Sequence, residues 1–132
     1  MISSIRLDGS TACMAIDGPT DAEVFREYVG RVLLPRLRSG DIVVLDNLSA
    51  HRDREAIELI ESAGADVWFL PPYSPDLNPI EKMWSKVKEF LRAAKARTQE
   101  ALLDAIAAAL NLITAQDAQG WFASCGYCYR QN

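Results

Sequence analysis

The 132-residue chain is poor in the side chains that soft-metal and redox sites require: it has one histidine, His51, and three cysteines, Cys13, Cys125 and Cys128. An odd and uneven cysteine set argues against a disulfide framework. Cys125 and Cys128 have the spacing of a redox dithiol, but such a motif should open a helix after a strand, and here it follows GWFAS near the end of the sequence. A dithiol oxidoreductase would also need Cys125 to be reactive at neutral pH. Zinc has no better case, because no second cysteine pair and no second histidine is present. No run of eighteen apolar residues exists to cross a membrane, and the opening MISSIRLDGS lacks the basic start and apolar core of a signal peptide. A soluble intracellular protein is expected. Basic charge is scarce as well: 14 Lys and Arg against 18 Asp and Glu give a net charge of −4. That balance does not announce a nucleic-acid binder, although a basic face can exist on an acidic whole.

What is present is a chain 49% apolar, without low-complexity tracts or repeats and of a length that suits one domain. Residues 2–8 and 10–17 flank Asp8-Gly9, a dipeptide suited to a tight turn, so the chain is expected to open with an antiparallel hairpin. Thr20 and Glu23 have capping-box spacing, and Phe25, Tyr28, Val29, Val32 and Leu33 repeat at helical intervals, predicting a helix to about residue 34 that Pro35 kinks or ends. Residues 42–45, IVVL, form an unbroken apolar run, expected of a strand buried on both faces. Ala56, Ile57, Ile60 and Ala63 mark a helix closed by Gly64, and residues 67–70, VWFL, read as a second buried strand reached by a right-handed crossover. A helix from Pro79 and an alanine-rich helix from Thr98 to about 115 follow. The pattern predicts an α/β fold.

Two carboxylates attract functional interest. In open α/β sheets the working site collects beyond the carboxyl ends of the strands, where Asp46 follows IVVL and where the loop after residue 70 begins. That loop reads LPPYSPDLNPIE, and prolines at 71, 72, 75 and 79 restrict it before it delivers Glu81. Two acids converging on one rim repel each other unless a cation lies between them, and Mg2+ or Mn2+ prefers oxygen ligands and pairs with phosphate. A pair of such ions serves phosphodiester chemistry, which points to phosphoryl transfer on nucleic acid. A structural reading stands beside this one: Asn78 is a good N-cap, Pro79 fits the first helical position, and Glu81 can complete a capping box. Asp46 can likewise be an ordinary turn residue.

LDNLSAHR at 45–52, taken with LPPYSPDLNPIEKMWSKVK at 70–88, resembles the catalytic core of DDE transposases of the mariner-like superfamily, most closely the bacterial insertion-sequence branch. Weaker similarity runs from the LDG hairpin through GWFASCGY. The resemblance implies a ribonuclease-H-like fold, a mixed five-stranded sheet flanked by helices, and metal-dependent cleavage and transfer of DNA strands in a bacterial cytoplasm. It implies that Asp46 is the second and Glu81 the third acid of a catalytic triad binding Mg2+ or Mn2+, with Asn47 and His51 placing DNA or a metal-bound water. His51 reads equally well as a cap of the following helix.

The family's first acid lies on a central strand upstream of the hairpin, and the sequence begins after that point. Asp8 reads as a turn residue, and Asp17 and Asp41 are loop residues with no better claim. The expectation is therefore an N-terminally incomplete DDE endonuclease domain over residues 1–132, without its central strand. Its hairpin and the strand ending at Asp46 would pair directly, or exchange a strand with a homodimer partner or an upstream transposase segment. Ile80, Met83, Trp84, Val87, Phe90, Leu91 and Ala94 form a core stripe on the helix from Pro79. Along its flank run Glu81, Ser85, Lys88, Arg92 and Lys95, a basic tract extended by Lys82, Lys86 and Arg97. Lys88 and Arg92 either meet DNA phosphates or belong to a solvated face. With the family's first acid missing, this chain alone is expected to be inactive, and the rival to a transposase nuclease segment is a remnant that binds DNA or the full-length transposase.

Overall fold

The computed structural model describes residues 2–14, 19–46, 48–72 and 74–127. These divide into two compact units, Met1–Ser4 with Ala12–Pro75 and Ile5–Thr11 with Asp76–Asn132. Asn47, Asp17 and Cys128, all singled out in the sequence, lie outside the described residues.

The hairpin strands β1, Ile2–Ile5, and β2, Thr11–Met14, pair with each other. Five intervening residues are too few for a parallel crossover, so the pair is antiparallel. At the turn, Asp8 Oδ1 accepts from Ser10 N–H at 2.9 Å and from Ser10 Oγ at 2.6 Å, which makes Asp8 the turn residue its neighbour Gly9 suggested.

Helix α1, Ala22–Tyr28, starts one residue later than the predicted cap: Asp21, not Thr20, accepts from Val24 N–H at 2.8 Å. A carboxylate suits that position because it meets the unpaired N–H groups with negative charge. The helical path continues as one π-helical turn, Val29–Leu33, and a 3-10 turn, Leu34–Arg36. Pro35 explains the change of winding, because it has no N–H to offer and its ring crowds the carbonyl four residues back. Phe25, Tyr28, Val29 and Leu33 are buried on this path. Burial pushes the Tyr28 hydroxyl up to about 12, so it stays protonated and donates to Ala12 O at 2.8 Å.

Strands β3, Ile42–Leu45, and β4, Asp66–Phe69, run parallel in the register Ile42↔Asp66 to Leu45↔Phe69. Helix α2, Arg54–Ser62, connects them, with Ala56 and Ile60 fully buried. Val43, Leu45, Val67 and Phe69 face the core formed with α1 and α2. The opposite face carries Ile42 and Trp68, 48% and 58% exposed. This corrects the expectation of strands buried on both faces. An unbroken apolar run does not reveal whether its second face finds cover, and here only one face does. Among the described residues the strands form two two-stranded sheets, and the hairpin does not pair with β3. Among the described residues the small sheets and five helices make a mixed α/β protein, as the sequence pattern predicted.

In the second unit, α3, Pro79–Ala94, buries Pro79, Met83 and Val87. It ends at Lys95, whose φ of 51° is left-handed and whose N–H returns to Leu91 O. Helix α4, Gln99–Asn111, is capped by Thr98, whose Oγ1 accepts from Ala101 N–H at 3.0 Å. The alanine-rich helix stops short of 115 because a fifth helix, α5, Ala115–Ser124, begins there at an angle of 81° to α4. A capping box between Thr114 and Asp117 starts it, a signal that was legible in the sequence. No single helix among the described residues is long and apolar enough to cross a membrane.

Candidate functional site

Asp46 follows the last residue of β3, at the carboxyl end of the parallel pair, with its side chain 36% exposed. Its Oδ1 accepts from Leu48 N–H at 3.2 Å. A 3-10 turn, Ser49–Arg52, then reverses the chain, and His51 N–H bonds to Leu48 O at 3.0 Å. The reversal sets His51 Nδ1 2.5 Å from Asp46 Oδ1. Nδ1 is buried and makes no directed hydrogen bond, so the contact is a close approach rather than a well-aligned donor and acceptor.

Two neighbouring residues of α1 reach this turn. The Phe25 ring lies against the His51 ring, with centroids 4.6 Å apart and planes tilted by 42°. Arg26 forks onto Asp53, with Nε to Oδ2 at 2.9 Å and the second guanidinium nitrogen to Oδ1 at 2.8 Å, and its Nε is also 3.3 Å from Glu55. The hydrogen bond from Arg26 holds the Asp53 carboxyl below the usual carboxylate range, and the same bond raises the Arg26 guanidinium. Asp53 is also the N-cap of α2, accepting from Ala56 N–H at 3.0 Å. That settles one open reading: Asp53, not His51, caps the following helix. Beside the turn, the Arg52 guanidinium stands 5.0 Å from the centroid of the Phe69 ring.

Glu81 belongs to the second unit, in the first turn of α3. Asn78 caps that helix through Ile80 N–H at 3.4 Å, and the reciprocal side-chain bond from Glu81 that would complete a capping box is not formed. The Glu81 side chain is exposed, as are Ser85, Lys88 and Arg92 along the same side of the helix. The longer basic tract is narrower than the sequence suggested. Lys86 Nζ contacts Asp117 Oδ2 at 2.5 Å and joins α3 to α5, which leaves it a structural role. That hydrogen bond, helped by Thr114 N–H, holds the Asp117 carboxyl below its usual range.

Cys125 is buried and burial pushes its thiol upward, which works against redox chemistry at neutral pH. For a divalent ion, the described donors fall short. Asp46 and His51 supply an oxygen and a nitrogen side by side, but among the described residues no three His, Cys, Asp or Glu side chains gather closely enough to hold a metal.

Phe25, Arg26 and Asp53 were not anticipated as site residues. Arg26 and Asp53 lie 27 positions apart, and no local pattern couples them. Asp53 alone left a trace, as a capping residue ahead of a helical repeat.

Compared with known families, residues 1–103 match the one described as DDE superfamily endonuclease. The matched span includes both Asp46 and Glu81 and ends within α4. No match is found among curated proteins.

Proposed function

The chain belongs to the DDE superfamily endonucleases, and on that premise we propose that it is the distal part of a transposase catalytic domain of the mariner-like superfamily, bacterial insertion-sequence branch. Membership points to nuclease or transposase chemistry on DNA, and endonucleases of this superfamily generally use divalent metals. The observation that carries the finer reading is Asp46 leaving the carboxyl end of β3 with His51 folded onto its carboxylate, inside the matched span. In this reading the reaction is cleavage and transfer of DNA strands in a bacterial cytoplasm, and the ribonuclease-H-like sheet is the framework.

Mg2+ or Mn2+ is the cofactor the reading calls for. Asp46 and Glu81 are the acids assigned to metal ligation. His51 braces Asp46, and Asn47 is assigned to positioning DNA. Lys88 and Arg92, exposed on the side of α3 that carries Glu81, contact phosphates and neutralise their charge.

A second reading is an inactive remnant that binds DNA or a full-length transposase. Plasmid nicking with Mg2+ or Mn2+ separates the two. The nuclease reading expects cleavage that Asp46→Asn and Glu81→Gln each abolish, and cleavage persisting in both variants overturns it. DNA binding without cleavage selects the remnant. Charge reversal at Lys88 and Arg92 is expected to lower the log–log salt slope of DNA binding by about 0.9 per lost phosphate contact. An unchanged slope returns both residues to a solvated face.

A further inference from the structure

The start of α3, which presents Glu81, is weakly capped. Asn78 accepts from Ile80 N–H at 3.4 Å, the far end of hydrogen-bond range, Glu81 returns no bond to the cap, and Pro79 has no N–H to give. A shorter bond reaches the same place from 50 positions away: the Tyr127 hydroxyl donates to Leu77 O at 2.7 Å. Leu77 closes the 3-10 turn Pro75–Leu77 and directly precedes the cap, so this bond fixes the chain where it enters the helix. Burial pushes the Tyr127 hydroxyl pKa up, so near neutrality it keeps the proton it donates.

Tyr127 owes its own place to how α5 ends. Gly126, with φ of +91°, turns the chain left-handed, and its N–H returns to Ala123 O while Tyr127 N–H returns to Phe122 O, both at 3.0 Å. This is the paired closure that a left-handed residue gives a helix end, and the apolar contact that accompanies it is present: the Phe122 and Tyr127 rings meet edge-on with centroids 5.8 Å apart. All of these residues lie in the second unit, and those from 122 to 127 stand beyond the span matched to the family. We propose that Tyr127 is a positioning residue, its hydroxyl seating the entry of α3 and thereby the first turn that presents Glu81. The proposal rests on the reading of Glu81 as a site acid, but the seating is measurable without any cleavage.

Amide hydrogen exchange followed by NMR reads the seating. Ile80 N–H, bonded to Asn78 Oδ1, and Glu81 N–H, bonded to Asn78 O, report the entry of α3, while the amides of Met83 and Val87 report its buried middle. Tyr127→Phe keeps the ring and removes the hydroxyl. It is expected to speed exchange at Ile80 and Glu81 by about 2- to 10-fold, the effect of one hydrogen bond, and to leave Met83 and Val87 unchanged. Gly126→Ala meets no neighbouring atom but strains the left-handed turn, and is expected to act in the same direction. Unchanged exchange at Ile80 and Glu81 in Tyr127→Phe overturns the proposal, as does an equal rise at all four amides, which would make the hydroxyl a source of general stability. Should Gly126→Ala fail to fold, Tyr127→Phe decides alone. Where plasmid nicking by the wild type depends on Glu81, Tyr127→Phe is expected to lower it at unchanged DNA affinity, and undiminished nicking overturns the proposal. Faster local exchange in a protein whose nicking is absent or survives Glu81→Gln upholds the seating and refutes the reading of Glu81 instead.

Discussion

Gly9 and Gly40 provide a matched pair for measuring how closely the hairpin turn packs within its unit. Both have left-handed backbone, with φ of +88° and +90°. They differ in surroundings. A Cβ on Gly40 meets nothing within 4 Å, whereas one on Gly9 meets Thr114 C at 2.7 Å, Thr114 O at 2.8 Å and Ala115 N at 2.9 Å. Alanine in the left-handed region costs about 1–2 kcal/mol. A less flexible unfolded chain returns about 0.4–1 kcal/mol of that. Gly40→Ala should therefore destabilise by only about 0.5–1 kcal/mol. Gly9→Ala carries the same backbone cost and a clash with main chain. Carbon contacts settle near 3.5–4.0 Å, so the turn must retreat by roughly 1 Å. The atoms it meets belong to the N-cap of α5, held by the Thr114–Asp117 box and by Lys86, and cannot rotate aside. Overpacking of that kind costs about 1–3 kcal/mol more. At about 4 °C per kcal/mol for a chain of this size, thermal unfolding should fall by roughly 6–16 °C for Gly9→Ala and by roughly 2–4 °C for Gly40→Ala. Equal shifts in the two variants would refute the packing of the turn on α5.

Met83, fully buried on α3, should cost about 2–5 kcal/mol when changed to alanine, whereas exposed Lys88→Ala should stay within about 0.5 kcal/mol in urea unfolding. Similar losses for both would mean that the apolar stripe is misassigned. Asp53 and Asp117 titrate below their usual range in the folded protein, so each contributes stability above its unfolded value, and that contribution is lost as pH falls through the folded one. Urea midpoints should therefore drop below about pH 4, and Asp117→Asn should flatten that acid limb; an unaltered acid slope in the variant contradicts the Lys86–Asp117 pairing. Cys125 should react with a thiol reagent far more slowly in the native protein than after unfolding, since it is 5% exposed and its thiol is pushed up by burial. Rapid labelling at neutral pH would return the dithiol reading to contention.

Local chemistry was readable residue by residue. The periodicity of Phe25, Tyr28 and Val29 and the stripe of Met83 and Val87 located buried faces, because a helix repeats its environment every three to four residues wherever it stands. Asn78 and Thr98 marked helix starts for the same local reason, since a cap bonds N–H groups two or three residues on. Misreadings occurred where two local signals competed, as with Thr20 beside Asp21, or where one was overlooked, as with Thr114 and Asp117.

By itself, then, the sequence determined the first four helices, the strand runs, the acid at the end of β3 and the family to which residues 1–103 belong. Only the tertiary structure decided that one face of the β3–β4 pair stays open at Trp68, that Lys86 is tied to Asp117, and that Phe25 and Arg26 hold the turn bearing His51. The physical reason is range. Capping and periodicity act within a few residues, while cover over a sheet and a fork between side chains 27 positions apart exist only once the chain has brought distant segments together.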